Sequence, residues 1–108
     1  MARLLSEPFE FLELADGTSL TLAIRSVDWG EAVVHPRYVG APEEKRIPVL
    51  RVHLMPGYKL TGVDYWDLSS KTLQAQLRPL IPGLIETNRE FTITAHGTGP
   101  QKRFSLRV

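Results

Sequence analysis

Residues 69–80 have the sequence SSKTLQAQLRPL, the clearest helical pattern in this chain. Leu73, Leu77 and Leu80 fall at positions i, i+4 and i+7, which places them on one face of an amphipathic helix. Ser69-Ser70 supplies a side-chain oxygen that can cap the first turn. The pattern predicts that the helix stops at its proline sites, Pro79 and Pro82-Gly83. The position of this single helix among β-like segments decides the fold prediction.

The segments before the helix have the alternation of half-buried strands. Phe9–Leu14 is predicted to be a short strand that the Asp16-Gly17 turn joins to Ser19–Val27 as a hairpin. In Ser19–Val27, Leu20 and Leu22 point to one face and their polar neighbours to the other. We therefore expect a strand of about nine residues after a short N-terminal one.

A long polar stretch follows, from Asp28 to Arg46, and is predicted to be a loop. The apolar piece Ala32-Val33-Val34 inside it could extend the preceding strand past a bulge near Gly30. Ile47–Met55 is the next predicted strand. Pro56-Gly57 turns the chain into Tyr58–Trp66, its predicted antiparallel partner. In the first of these strands we expect three side chains to point inward and two outward: Leu50, Val52 and Leu54 in, Arg51 and His53 out.

A third hairpin closes the sequence. Phe91–His96 alternates, Gly97–Pro100 turns the chain, and Phe104, Leu106 and Val108 alternate with polar residues. From Ser19 onward the order is β-β-β-α-β-β. The prediction is one domain over residues 1–108, all-β with one helix, in which residues 1–16 form an N-terminal extension with an extra strand.

This order resembles the OB-fold, a five-stranded barrel that carries its helix between strands three and four. A helix-capped sandwich and an SH3-like barrel share much of the pattern. The C-terminal half of the chain is also similar to small OB-type single-stranded-DNA-binding modules of phages and of some archaea and bacteria. The resemblance lies in Pro48–Val52, in Tyr65–Leu73, and in Phe91–Thr94 with the Gly-x-Gly turn and Arg103–Leu106 that follow. It implies a barrel that binds single-stranded nucleic acid.

Composition limits the functions that remain. The 108 residues carry a net charge of +1 and 43% hydrophobic residues, and no apolar run approaches the length of a membrane span. Without cysteine there is no thiolate chemistry, and His35, His53 and His96 lack metal-ligand spacing. Without a predicted membrane span or secretory signal we expect a cytoplasmic protein. No catalytic motif occurs, so we also expect a non-enzymatic protein with no metal and no cofactor.

Aromatic and basic side chains instead favour a binding function. Single-stranded nucleic acid is held by aromatic faces that stack on bases and by cations that follow the phosphates. In an OB arrangement the predicted long loop and the last turn flank one ligand face. The residues expected to form this site are Arg25, Trp29, Arg37, Tyr38, Lys45, Arg46, Arg51, His53, Trp66, Lys102 and Arg103. The expected partner is single-stranded DNA or RNA.

A second hypothesis is a protein-interaction or assembly domain. The predicted strand Phe9–Leu14 would then pair, as an edge strand, with a partner or with a second copy of the chain. The acidic character of residues 1–16, which contain four acids against Arg3 alone, is compatible with this alternative.

Overall fold

The computed structural model describes residues 3–59 and 62–108. Within those residues the chain forms six strands and two short helices. They are β1 (Ser19–Leu22), β2 (Ile24–Val34), β3 (Lys45–Leu54), β4 (Tyr65–Leu68), α1 (Lys71–Leu77), α2 (Ile81–Thr87), β5 (Phe91–His96) and β6 (Arg103–Arg107). A single 3-10 turn, Gly99–Gln101, precedes β6.

The strands form two three-stranded antiparallel sheets, in the orders β1-β5-β6 and β2-β3-β4. β1 and β2 are two parts of one bent stretch of chain that contributes to both sheets. Leu22, Ala23 and Ile24 are all buried where the stretch bends. Three consecutive buried residues break the alternation of a one-sided strand, because the chain there passes between the sheets. The predicted strand Ser19–Val27 is therefore divided.

The main core lies between the two sheets and the helices. Leu50, Val52 and Leu54 are buried in it, which confirms their predicted inward positions. Leu73 and Leu77 of α1 contribute to the same cluster. The periodicity thus predicted the burial of these five side chains correctly, but Leu80, predicted on the same helix face, lies beyond α1 and is 37% exposed.

The protein is rich in β-structure, but the five-stranded barrel is a wrong prediction. Among the described residues β4 and β6 do not pair, so the two sheets do not close on each other. The N-terminal segment, residues 3–14, lies against β4 instead. The Leu12 N–H donates to Asp67 O and the Asp67 N–H donates to Glu10 O, at 3.0 and 2.8 Å.

The prediction of a single helix is also wrong. Proline ends α1 as expected, but Pro82 then sits in the first turn of α2. Proline is tolerated there because the first N–H groups of a helix have no intrahelical acceptor. α2 ends at Asn88, which adopts a left-handed conformation with φ of 50°.

The predicted N-terminal hairpin does not form. Phe9–Leu14 makes one isolated parallel bridge, between Phe11 and Asp67, and β1 pairs with β5. The Asp16-Gly17 turn is present, with the Thr18 N–H donating to Ala15 O at 3.0 Å. A turn sequence does not determine which strand pairs with β1. β1 pairs with β5, and this pairing buries Leu22 opposite Phe91.

The predicted loop from Asp28 to Arg46 is shorter than expected. β2 continues to Val34 and pairs with β3 from Lys45 onward, so the connection is residues 35–44. Trp29, Lys45 and Arg46 therefore lie on strands. The many polar residues of the β2–β3 hairpin led to the prediction of a loop. They belong instead to the exposed faces of a long antiparallel strand pair.

The other two predicted hairpins are confirmed as pairings. β3 pairs with β4, although β4 begins only at Tyr65, and β5 pairs with β6. The predicted strand Tyr58–Trp66 includes Leu60 and Thr61, which lie outside the described residues. Tyr58 itself belongs to the turn after β3.

The N-terminal segment crosses one face of sheet β2-β3-β4, which we call the covered face. At one edge the Leu5 N–H donates to Glu31 O and the Glu31 N–H donates to Arg3 O, at 2.9 and 2.8 Å. Leu5 packs with Ala32 and Val49 in a small second core. The segment then reaches β4 at the opposite edge.

Gly30 permits this close approach. A Cβ at Gly30 would lie 2.5 Å from Arg3 O and 2.8 Å from Leu5 Cδ2. We expect Gly30→Ala to lower the free energy of unfolding by about 1–3 kcal/mol in urea denaturation, because a backbone oxygen cannot move aside easily. The exchange of the Leu5 amide hydrogen should also accelerate.

Gly83→Ala is the matched control. A Cβ at Gly83 meets nothing within 4 Å, and alanine in α2 should be neutral or stabilising. If Gly30→Ala were as harmless as Gly83→Ala, docking of the N-terminal segment on the covered face would be refuted.

Candidate functional site

Arg51 lies at the centre of the covered face and is buried, with only 3% of its surface exposed. Its guanidinium forms a two-pronged ion pair with Asp67, with Nε–Oδ1 at 2.7 Å and Nη2–Oδ2 at 3.2 Å. Two further N–H groups donate to Ser6 Oγ and to Pro8 O, both at 3.3 Å. The side chain does point away from the main core, but the N-terminal segment covers it. Arg51 is therefore not available to a ligand.

Aromatic rings and a backbone amide complete this arrangement. The Arg51 guanidinium carbon lies 4.0 Å from the centroid of the Tyr65 ring. The Tyr65 hydroxyl donates to Pro8 O, and the Glu10 N–H donates to Asp67 Oδ2 at 2.7 Å. A buried charge pair is tolerated when hydrogen bonds satisfy it, and each side-chain nitrogen and oxygen of this pair has at least one partner. The covered face is held by a polar network at its centre.

His53 lies on the same face and is half-buried. Its Nε2 is 2.9 Å from Asp28 Oδ2, and Arg3 Nη2 donates to the other oxygen of that carboxylate at 3.0 Å. His53 therefore helps to fasten the start of the N-terminal segment. The structure does not place it beside the exposed cations of the predicted site.

Two of the predicted cations are exposed but paired with acids. Arg25 Nη2 lies 3.1 Å from Asp64 Oδ2, and Arg46 Nε lies 3.4 Å from Glu31 Oε1. The pairing reduces the positive potential that either side chain offers to an anion. Exposed pairs of this kind contribute only about 0–1 kcal/mol to stability.

The two tryptophans differ in their surroundings. Trp29 is 39% exposed, and the guanidinium carbon of Arg78 lies 4.3 Å from its ring centroid. Trp66 is half-buried against the main core, with Lys59 Nζ 3.7 Å from its ring centroid. Its buried Nε1 has no hydrogen-bond partner among the described residues. Trp29 is therefore the tryptophan that a ligand can reach.

The tip of the β2–β3 hairpin presents another predicted pair. Arg37 and Tyr38 are exposed there, Tyr38 at 61%, and Lys45 is exposed where β3 begins. The neighbouring acids Glu43 and Glu44 are exposed as well. The tip offers an aromatic ring and cations, but its charges are mixed.

Lys102 and Arg103 line a groove between α1 and β6, which we call the α1–β6 groove. Adjoining cavities of about 630 and 420 Å³ are lined by these cations with Thr72, Gln76, Gln101 and Phe104. A third cavity, of about 270 Å³, continues the groove past Lys102 toward Glu13. Its walls supply hydroxyl, amide and cationic donors beside one aromatic ring. Such a surface is suited to an anionic ligand that also has apolar parts.

α1 and β6, the two elements that form this groove, contain no acid, and Glu13 at its far end belongs to the N-terminal segment. Neither residues 69–85 nor residues 91–108 include an aspartate or a glutamate. None of the ion pairs formed by the described residues involves a cation of these elements. These cations are Lys71, Arg78, Lys102, Arg103 and Arg107.

The sequence prediction found Lys102 and Arg103 but missed Lys71, Thr72, Gln76, Arg78 and Phe104. The sequence did contain a signal for these residues, the long interval 69–85 without an acid. Its relation to Lys102 and Arg103 appears only in the fold, where α1 packs beside β6. The structure thus brings together Lys102 and Arg103 and places Trp29 beside Arg78. Arg51 is covered by the N-terminal segment and does not belong to this surface.

The described part of the chain contains no group of three or more His, Asp or Glu side chains placed to hold a metal ion. None of its helices combines the length and the apolar character required to cross a membrane. Comparison with protein-family models, curated proteins and solved structures finds no match.

The Arg51–Asp67 pair generates a stability prediction. Arg51→Met should lower the free energy of unfolding by about 3–5 kcal/mol, because Asp67 is left as a buried carboxylate without a cation. Adding Asp67→Leu should recover much of that loss. Arg25→Met, which breaks an exposed pair, should cost no more than about 1 kcal/mol in the same urea experiment. Equal losses in Arg51→Met and Arg25→Met would contradict the central role of the buried pair.

The Asp28 carboxylate generates a pH prediction. The hydrogen bond with His53, and then the charge of Arg3, lower the pKa of Asp28 below its usual 3.8, against the opposing effect of burial. A lowered folded-state pKa contributes stability above about pH 4 that is lost as the pH falls through the folded-state value.

Asp28→Asn should therefore be clearly less stable than the parent chain at pH 5. The difference between the two should shrink toward pH 2, as followed by urea denaturation at each pH. A difference that stayed constant from pH 5 to pH 2 would rule out this linkage.

Proposed function

We propose that the protein is a non-enzymatic module that binds single-stranded nucleic acid, DNA or RNA, through α1, the α1–β6 groove and Trp29. The observation that carries this proposal is the acid-free surface formed by α1 and β6. Five cations lie on these elements or on the turns that adjoin them, and none belongs to an ion pair of the described residues. The net charge of the whole chain is only +1, because all of its acids lie outside α1 and β6.

Aromatic groups support a nucleic acid over a simple anion. Trp29 presents an exposed ring beside Arg78, and Phe104 lies in the groove beside Lys102. Stacking of a base on an aromatic side chain contributes about 1–3 kcal/mol, so two such contacts and a few phosphate contacts are enough for micromolar affinity. Bases must be unpaired to stack in this way, which favours a single strand.

The strand pairing gives partial support to the OB-like relationship. The bent stretch β1–β2 joins both sheets, β3 and β4 follow it in one sheet, and the helices precede the hairpin β5–β6 in the other. This is the OB order without the closing contact. In the OB-fold the ligand face lies on the second and third strands, here β3 and β4, whose outer side the N-terminal segment covers. We therefore assign the binding surface to the α1 side of the molecule.

The alternative, a protein-interaction domain that pairs through Phe9–Leu14, receives less support. In the structure the backbone of this segment is already bonded to β4, at Glu10 and Leu12, within the same chain. A partner strand would have to compete with those hydrogen bonds.

Tryptophan fluorescence tests the proposed function. In Trp66→Phe, Trp29 is the sole tryptophan, and we expect an oligothymidylate or an oligouridylate to quench it at low salt. Affinity should fall as salt rises, since binding releases counterions. Lys102→Gln combined with Arg103→Gln should reduce the slope of log K against log salt by about 1.4.

Two variants serve as controls. Trp29→Phe keeps the half-buried Trp66 as its sole tryptophan and should show little quenching. Arg25→Gln removes a cation that is already paired with Asp64 and should change the salt slope far less than the Lys102 and Arg103 changes. Absence of quenching with both DNA and RNA at low salt would refute the proposal.

A further inference from the structure

We propose that one strand of nucleic acid crosses α1 over Ala75, so that the Trp29–Arg78 pair and the α1–β6 groove are two ends of a single site. This inference rests on the proposed function and specifies the route and the minimum length of the ligand. It predicts that the strand contacts Ala75, although the methyl side chain of this residue can neither form a hydrogen bond nor pair with a phosphate.

The helical geometry of α1 places two rows of polar side chains on opposite sides of an exposed ridge. At 3.6 residues per turn, Lys71 and Arg78 project to one side. Thr72 and Gln76 project to the other side. Ala75 lies between the two rows and is exposed. Leu73 and Leu77 occupy the inward face in the main core, and their burial fixes the orientation of α1 about its own axis.

Contacts on both sides of the ridge agree with this placement. On one side the Arg78 guanidinium lies over the Trp29 ring, 4.3 Å from its centroid. On the other side Thr72 and Gln76 line a cavity of about 420 Å³ together with Arg103 and Phe104. Each side therefore pairs a cation with an aromatic ring.

The buried Gln74 anchors the ridge between the two ends. Its Nε2 donates to Leu68 O at 2.6 Å and to Pro48 O at 3.3 Å, which ties α1 to the sheet that carries Trp29. The sheet that carries Trp29 is consequently held at a fixed position relative to α1. A ligand that reaches both gains from this preorganisation.

The ridge itself presents no barrier to a polyanion. α1 contains no acid, and the methyl group of Ala75 is the smallest side chain that a helix favours. A strand that passes over this position meets Lys71 on one side and Arg103 on the other. Within α1 the path meets no acidic side chain, and Ala75 has the shortest side chain of the helix.

The dimensions of the helix set a minimum ligand length. An α-helix with its side chains is about 10–12 Å across. At about 3.4 Å per stacked nucleotide, roughly three steps, and hence about four nucleotides, are needed to join the two ends. A dinucleotide can occupy one end and cannot span α1.

A pair of substitutions at Ala75 tests the crossing. Ala75→Glu and Ala75→Lys both introduce long, helix-favouring side chains at an exposed position, so both variants should fold as the parent does. For an oligothymidylate of six nucleotides at low salt, we expect binding about three- to fivefold weaker with glutamate, the effect of one surface charge. With lysine we expect equal or tighter binding, and the difference should decrease at high salt.

Two controls isolate the route from net charge. Arg89→Gln lowers the net charge by one unit, as Ala75→Glu does, but lies beyond α2, and should weaken binding less. Neither substitution at Ala75 should alter the binding of a dinucleotide by more than Arg89→Gln does. Anisotropy of a labelled oligonucleotide measures the affinities, with the folded state checked by circular dichroism.

The outcomes separate the two proposals. If no oligonucleotide binds the parent chain, the proposed function fails and the crossing fails with it. If the hexanucleotide binds and quenches Trp29 while Ala75→Glu weakens binding no more than Arg89→Gln does, the function stands and the crossing is overturned. A glutamate-specific loss that appears only with ligands of four or more nucleotides supports the crossing.

Discussion

The buried pair of Arg51 and Asp67 is the interaction on which the arrangement of the molecule depends. It joins β3 to β4, and both side chains also bond to the N-terminal segment, at Ser6, Pro8 and Glu10. A buried pair contributes little when compared with a well-packed apolar alternative, but it is costly to break. The main effect of the pair is therefore to fix the position of the N-terminal segment on β3 and β4. The segment that it holds covers one face of sheet β2-β3-β4.

This fastening gives the protein two different sides. Glu10 of the N-terminal segment lies beside β4, and Glu13 lies at one end of the α1–β6 groove, but α1 and β6, which carry the cations, contain no acid. A nearly neutral chain can then present a local positive surface, because the two signs are separated in space. The electrostatic asymmetry visible in the sequence thus becomes an asymmetry of the folded molecule. The proposed route over α1 uses the side that the N-terminal segment leaves open.

The sequence predicted local structure better than it predicted the site. Leu50, Val52 and Leu54 were placed correctly, because alternation along a strand is a local property. Arg51 was assigned to the opposite face correctly, yet it proved buried, since its cover comes from residues more than 40 positions away. The same limit explains why α1 and β6 were not recognised as neighbours. Long-range packing, which no short pattern encodes, decided both cases.

The most direct test of the two-sided account is the map of amide chemical-shift changes in an ¹⁵N-labelled chain on addition of a single-stranded hexanucleotide. The account predicts changes at the Trp29 indole, along α1 and along residues 101–107. No change is expected at Arg51, at His53 or in residues 3–8 of the N-terminal segment. Changes concentrated on the covered face, with release of the segment from β4, would contradict it.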